Sequence, residues 1–403
     1  MEVGAVDMIS TPLSEIESRI AALKQAMSSQ KIDLAIIVQK TDLFYFSGTG
    51  QDAHLLVHVD SGPCLLVRKS IERALEDSPI ADIRGAKSLT DIKDTAESLS
   101  TSGILTIGLE LDVLPVNNFR MYERLFPQAT FVDISPAIRK IRSVKSDYEL
   151  DLIRGAARIN DSMFAYAKEI VRPGMAEIEL AGLLEAFLRM REHQGLVRVR
   201  SFNNEVFYGH IMSGSNLAVP SCSVGPTGGQ GPNASMPQGA GSRVIGRNEP
   251  IQIDFVATYK AYIVDQARTY FVGEAPEEFL KIHKLALDIQ QAIVENGKAG
   301  VSCENLYDMA VEMATQAGHI VGFMGYPQAV PFVGHGIGLE LDELPILGRK
   351  VDSLLEEGMV IALEPKFILP GKGLAGIENS FVVGKDNLEK LTRFDDQIQI
   401  VNA

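Results

Sequence analysis

Two stretches of this chain bury paired acids in apolar, β-rich sequence. In IQIDFVATYKAYIVDQARTYFV, Ile251 to Val272, two strand-like runs flank a short polar break at Tyr259-Lys260. A turn centred there sets Asp254 directly opposite Asp265, with Cβ atoms about 5 Å apart on one face. Like charges so placed repel, and burying them is costly unless a cation lies between them. GMVIALEPKFILPGKGLAGIENSFVV, Gly358 to Val383, repeats the arrangement. Its turn signal is Pro370-Gly371-Lys372-Gly373, and a turn centred on Gly371 sets Glu364 opposite Glu378. Between the hairpins, VGHGIG (Val333 to Gly338) holds His335 between glycines that leave its ring open to close approach. Four carboxylates and one imidazole suit a pair of divalent ions such as Mn²⁺, Co²⁺ or Zn²⁺. Carboxylates that bridge ions about 3.5–4 Å apart activate a shared water for hydrolysis. Taken singly, an Asp in a strand is usually solvent-facing and a His usually an ordinary hydrogen-bonded residue. Two acid-bearing hairpins together with a Gly-flanked His favour the metal centre, although periodicity alone does not bring the hairpins together in space.

The rest of the chain must position these hairpins. Ile16, Ile20, Leu23 and Met27 recur at helical spacing and predict a helix over Leu13 to Ala26. Asp33 to Gln39, Ile104 to Glu110 and Phe131 to Ser135 read as strands, and Leu55 to Val59 with Cys64 to Arg68 as a hairpin across Ser-Gly-Pro. Strands alternating with helical stretches predict an α/β domain over residues 1–140. The basic, polar stretch Arg139 to Lys145 reads as a boundary, leaving 141–403 as a second domain. Ser146 and Glu149 form a capping-box pattern at the head of a helix that Arg172-Pro173-Gly174 ends. Further helices are predicted over Glu177 to Met190, Pro276 to Glu295 and Glu304 to Gln316. Gly209 to Gly241, rich in Gly, Ser, Pro and Asn, reads as a long functional loop.

A length of 403 residues favours two domains over one core. The net charge of −14 argues against nucleic acid or an anionic membrane as a partner, because phosphate binding needs a basic footprint. Cys64, Cys222 and Cys303 are far apart and odd in number, which predicts reduced thiols in a cytoplasmic protein and no disulfide framework. The first residues, MEVGAVDMISTPLSEIESRI, carry no secretory signal pattern, and no apolar run reaches membrane-spanning length.

The acid-bearing segments IDFVATYKAYIVDQART, VGHGIGLELDELP, GMVIALEP and GIENS resemble the creatinase/aminopeptidase P/prolidase family of pita-bread metallopeptidases. PAIRKIRSVKSDYELDLIRGAARI is similar to the family's interdomain join, so the resemblance covers nearly the whole chain. It implies a creatinase-like N-terminal domain. It also implies an α+β catalytic domain with a curved, mainly antiparallel sheet, outer helices and two pseudo-symmetric halves. Asp254, Asp265, His335, Glu364 and Glu378 stand at the positions that bind two metal ions in the family. The implied activity is cleavage of Xaa-Pro bonds in short peptides by a metal-bridging hydroxide, with Glu364 also handling the proton, in a cytoplasmic homodimer.

The chain departs from the family pattern at several positions. Asp342-Glu343-Leu344-Pro345 replaces the usual HE.P, Pro331 stands four residues before His335, and Gln238 in MPQG replaces a further histidine. Gly376 replaces an Arg two residues before Glu378, Glu378-Asn379 replaces ED, and Ala267-Arg268-Thr269 replaces TRT. Histidines at such positions hold substrate and stabilise charge, and losing one such donor costs about 10²–10³ in rate. His210 is the nearest substitute, or else a structural histidine. Asp342 either accepts from a substrate amine or caps a turn. Arg198 and Arg200 either hold a substrate carboxylate or are solvated strand residues. Three functions therefore compete: an Xaa-Pro aminopeptidase or dipeptidase; a metal enzyme of this fold acting on a small non-peptide, such as an ectoine-hydrolase-like amidohydrolase or a dimethylsulfoniopropionate-type lyase; and a non-catalytic binding protein.

Overall fold

The computed structural model describes residues 11–101 and 103–402. The first half of the N-terminal stretch read against a secretory signal, residues 1–10, lies outside the described residues. Among the described residues, no helix is long and apolar enough to cross a membrane. The chain divides into two compact units, the first ending at Arg142 and the second starting at Ser143.

In the first unit, the helix Leu13–Ser29 buries Ile16, Ile20, Leu23 and Met27, the apolar stripe expected from its spacing. A six-stranded mixed sheet runs in the order Asp82–Gly85, Cys64–Val67, Ala53–His58, Leu34–Ile37, Thr106–Leu109 and Thr130–Asp133. Leu34, Ile36, Leu56, Leu66, Ile107 and Leu109 meet Ile92, Ala96 and Tyr122 in its core. The basic stretch expected to be a boundary is helical, since Ser135–Ser143 forms a helix. Its Arg142 is no solvated linker residue: its guanidinium lies 2.6 Å from the buried Asp42 carboxylate.

The second unit is built from mainly antiparallel sheets with helices packed on them, the exception being Gln399–Val401, which pairs parallel with Tyr262–Val272. A five-stranded sheet runs in the order Leu341–Gly348, Phe332–Ile337, Val360–Leu363, Asn379–Val383 and Leu388–Lys390. A four-stranded sheet runs Gln399–Val401, Tyr262–Val272, Pro250–Tyr259 and Gly209–Ser213, and Lys366–Leu369 pairs with Gly373–Gly376 as a ribbon. The two larger sheets meet where Ala267 and Glu378 exchange backbone hydrogen bonds of 3.3 Å in both directions. The helices Glu277–Asn296 and Cys303–Gln316 press Ile282, Ala286, Ile289, Leu306 and Ala310 onto Val333, Ile361, Leu363 and Phe381. The helix Asp147–Ile170 starts with Ser146 and Glu149 closing a capping box. It packs on the 250–272 hairpin, where Asn160 donates to the Phe255 carbonyl at 2.9 Å and Tyr270 donates to the Phe164 carbonyl at 2.7 Å.

Two local expectations are corrected. Gly209 does not open a loop: Gly209–Ser213 is an edge strand, and irregular chain follows only after the short 3₁₀ turn Gly214–Ala218. Its alternating pattern is too short to stand out among the glycines and serines that follow it. The first hairpin also turns one position later than expected. Lys260 and Ala261 both have left-handed backbone, with φ of 48° and 77°, so Asp254 pairs with Ala267 and Asp265 with Val256. Such a turn normally announces itself with Asn or Gly, and here it does not. The pairing moves by two residues, so both aspartates stay on one face as diagonal neighbours and are not directly opposed.

Candidate active site

The acids are placed by strand parity and by a break in a ladder. Asp254 and Asp265 project from one face of the 250–272 hairpin. His210, on the neighbouring edge strand, pairs with Asp254. This edge approaches closely because residue 209 is glycine: a Cβ there would fall 2.0 Å from the Asp254 carbonyl oxygen. In the second ribbon, Val360–Leu363 pairs with Asn379–Val383 and Lys366–Leu369 with Gly373–Gly376 in one continuous register. Glu364 and Glu378 therefore face each other in the gap between the two ladders. His335 lies in the adjoining strand, paired with Ala362.

These side chains converge on a single cavity of ≈ 100 Å³. His335 Nε2 stands 3.9 Å from Asp265 Oδ2, 3.8 Å from Glu364 Oε1 and 3.9 Å from Glu378 Oε1. These separations are too long for hydrogen bonds. They match donors about 2.0–2.2 Å from a common ion, which lie roughly 3–4 Å apart. Asp265, His335 and Glu378 each offer one donor atom within 4.8 Å of the others, and Asp265 Oδ1 is buried with no hydrogen-bond partner. Burial, then the charge of Asp254, pushes the Asp265 carboxyl up to about 7. Burial, then Asp265, raises Glu378 well above the usual carboxylate range. Desolvation would lower His335, but Asp342, Glu364 and Asp265 raise it overall. Concentrated, under-neutralised anionic charge around an orphaned oxygen fits a divalent cation held by Asp265, His335, Glu364 and Glu378.

The opposite side of the acid cluster contains a residue that sequence reasoning missed. Lys366 is 1% exposed, and its Nζ donates to Asp254 Oδ2 at 2.7 Å and to Glu364 Oε2 and Glu378 Oε2 at 2.8 Å each. Desolvation works against the ammonium, but the charges of Asp254, Glu364 and Glu378 outweigh it and hold its pKa well above the ordinary lysine value. A signal was present: Lys366 follows Glu364 by two, so strand parity turns both to one face. Its stem lies over Gly376, where a Cβ would come within 2.8 Å of Lys366 Cα and Cγ. The residues present thus fit one divalent ion, whereas the second ion of the expected pair would meet the ammonium.

The other candidates divide. His210 lines the cavity with its Nδ1 3.0 Å from Thr227 Oγ1, and burial lowers its pKa. Gln238 lines it too, with its amide donating to the Glu205 carbonyl at 2.9 Å. Asp342 is at the rim, its Oδ1 3.6 Å from His335 Nδ1. Glu343 has a structural role: it accepts from the Leu339 and Glu340 amides at 2.8 and 3.0 Å and from Lys145 Nζ at 3.1 Å, pinning the turn that carries Asp342. Pro331 is exposed, and neither it nor Arg198 or Arg200 lines the cavity. Arg268 is fully buried behind the site, where its guanidinium donates to the Ala267 and Glu378 carbonyls at 2.9 and 2.8 Å and to Asn379 Oδ1 at 2.8 Å. It therefore fixes the sheet junction that carries Glu378.

Known proteins share this architecture. The profile of the creatinase/prolidase N-terminal domain matches residues 19–144, and that of metallopeptidase family M24 matches residues 151–385. An Xaa-Pro dipeptidase from Lactobacillus helveticus is 28% identical over 392 residues, covering 94% of this chain and 98% of the relative. One from Pyrococcus furiosus is 25% identical, covering 95% and 100%. The crystal structure of an X-Pro aminopeptidase from Thermotoga maritima superposes with a TM-score of 0.78 at 28% identity, covering 92% and 98%. An Xaa-Pro dipeptidase from Bacillus anthracis superposes at 0.82 and 26%, covering 96% and 100%. With a creatinase-type unit first and acid-bearing ribbons meeting around a histidine second, the chain belongs to metallopeptidase family M24.

Proposed function

We propose that this chain is a metal-dependent peptidase of the Xaa-Pro dipeptidase type, acting on short peptides. The observation that carries the reading is the convergence of Asp254, Asp265, His335, Glu364 and Glu378 on one cavity of an M24 chain. Full-length Xaa-Pro dipeptidase relatives support the substrate class and favour it over a ring-opening amidohydrolase or a lyase. Mn²⁺, Co²⁺ or Zn²⁺ suits the donors, and the cytoplasm and a homodimer complete the proposed setting.

A divalent ion held by these residues would supply a Lewis acid for the scissile carbonyl and lower the pKa of an attacking water. Glu364 is the acid assigned to take that water's proton and return it to the proline nitrogen as the bond breaks. Gln238, which replaces an expected histidine, and His210, the nearest substitute, hold the substrate carbonyl or carboxylate. Asp342 orients the His335 ring through its Nδ1 side. Val206, Phe207, Val224, Pro226 and Phe332 form an apolar wall suited to a proline ring.

Protein replete with Mn²⁺ or Co²⁺ is expected to hydrolyse Xaa-Pro dipeptides in preference to Xaa-Pro-Yaa tripeptides, and His335→Ala to abolish this turnover. Absence of turnover on both substrate classes by the metal-replete protein removes the proposal.

A further inference from the structure

We propose that this centre takes one divalent ion rather than two, with the Lys366 ammonium built into the chain as the second cation. The inference rests on the metal-dependent reading above and deepens it. The two glutamates divide their oxygens between two bays. Glu364 Oε1 and Glu378 Oε1 face His335 Nε2 at 3.8 and 3.9 Å, in the bay that Asp265 completes. Glu364 Oε2 and Glu378 Oε2 face Lys366 Nζ at 2.8 Å, in the bay that Asp254 completes at 2.7 Å. Both glutamates therefore bridge, as carboxylates do between paired ions, but one member of the pair is a side chain.

A second divalent ion would need Asp254 and these outer oxygens at about 2.0–2.2 Å. That places it within the space of an ammonium already bonded to the same atoms, where two cations repel strongly at low dielectric. The lysine cannot easily withdraw. Its stem is packed against Gly376, and leaving would strand a buried charge and three carboxylates. An ammonium has three donors, and all three are used on carboxylates. Lys366 so bonded neither donates to substrate nor accepts a proton. It is a positioning residue that neutralises Asp254 and fixes both bridging glutamates toward the His335 bay.

Native mass spectrometry of the full chain titrated with Mn²⁺ tests this. Asp254→Ala/Asp265→Ala, made in the wild-type and Lys366→Ala backgrounds, is the control that subtracts ions held by the acidic surface. The wild type is expected to hold one Mn²⁺ per chain beyond its control and Lys366→Ala to hold two beyond its own. Loss of packing alone would not add an ion. Two such ions in the wild type, or only one in Lys366→Ala, overturn the proposal and leave the peptidase reading standing. No such ion in the wild type removes the metal-dependent reading itself, and this proposal with it. If Lys366→Ala does not fold, manganese anomalous scattering from wild-type crystals decides: one peak supports the proposal and two overturn it.

Discussion

Asp342, the second residue of the strand Leu341–Gly348, has left-handed backbone, φ 62°, a conformation that Asp tolerates better than most residues. That turn swings its carboxylate toward His335 Nδ1, which also faces the Gly336 carbonyl at 3.2 Å. The other ring nitrogen is thereby left pointing at Asp265, Glu364 and Glu378. Groups that orient a ligating histidine in this way are typically worth about 10–100-fold in metal affinity or activity. Asp342→Ala is accordingly expected to weaken Mn²⁺ binding by about that factor with its circular dichroism unchanged. A calorimetric Mn²⁺ titration matching wild type would show that Asp342 does not act through His335.

At the scale of elements, the site depends on how closely the edge strand Gly209–Ser213 lies on Pro250–Tyr259. Gly209 has φ 143°, and any side chain there meets the Asp254 carbonyl and Phe255 Cα. Gly209→Ala must therefore push the edge away at the very pair, His210 with Asp254, that lines the cavity. Overpacking of this kind costs about 1–3 kcal/mol. The expected outcome is a lower urea midpoint together with reduced peptidase turnover. An alanine variant with wild-type stability and rate would mean that the edge strand has room this packing denies it.

At the scale of the whole molecule, each unit carries a buried, neutral histidine. His54 in the first unit is lowered to about 4 by burial, with Arg68 adding to the effect. His193 in the second is lowered to about 4, again by burial first, and its ring stacks on Tyr208 at 4.2 Å. In an unfolded chain a histidine titrates near 6.5. Between that value and about 4 the unfolded state binds protons that these folded-state histidines refuse, so their contribution to stability is present at pH 7 and falls as the solution is acidified. Asp265, with its raised pKa, works in the opposite direction over much of the same range, so the test is a difference. Comparing urea midpoints at pH 7 and pH 5, wild type should lose more stability than His54→Gln or His193→Gln. Equal losses in all three would show that neither histidine is held neutral by the fold.

The chain's own periodicities determined much of this architecture. Helical stripes, strand alternation and the Ser146 capping box are local patterns and survive any tertiary arrangement. Strand parity is equally robust: misplacing the turn at Lys260-Ala261 changed the partner of Asp254 but not its face, because the side-chain period of a strand is two. The Gly371 turn also signalled itself, through Pro and Gly, and its register sets Glu364 across from Glu378. Lys366 was different. Read along the chain, it is one lysine in a strand, indistinguishable from the charges that edge strands carry into solvent. Only the meeting of two separate sheets at Ala267 and Glu378 brings Asp254, more than a hundred residues away, within 2.7 Å of its ammonium. Electrostatic partnership depends on distance in space, which periodicity does not encode, so the kind of chemistry was written in the sequence while the number of cations it can take was decided by packing.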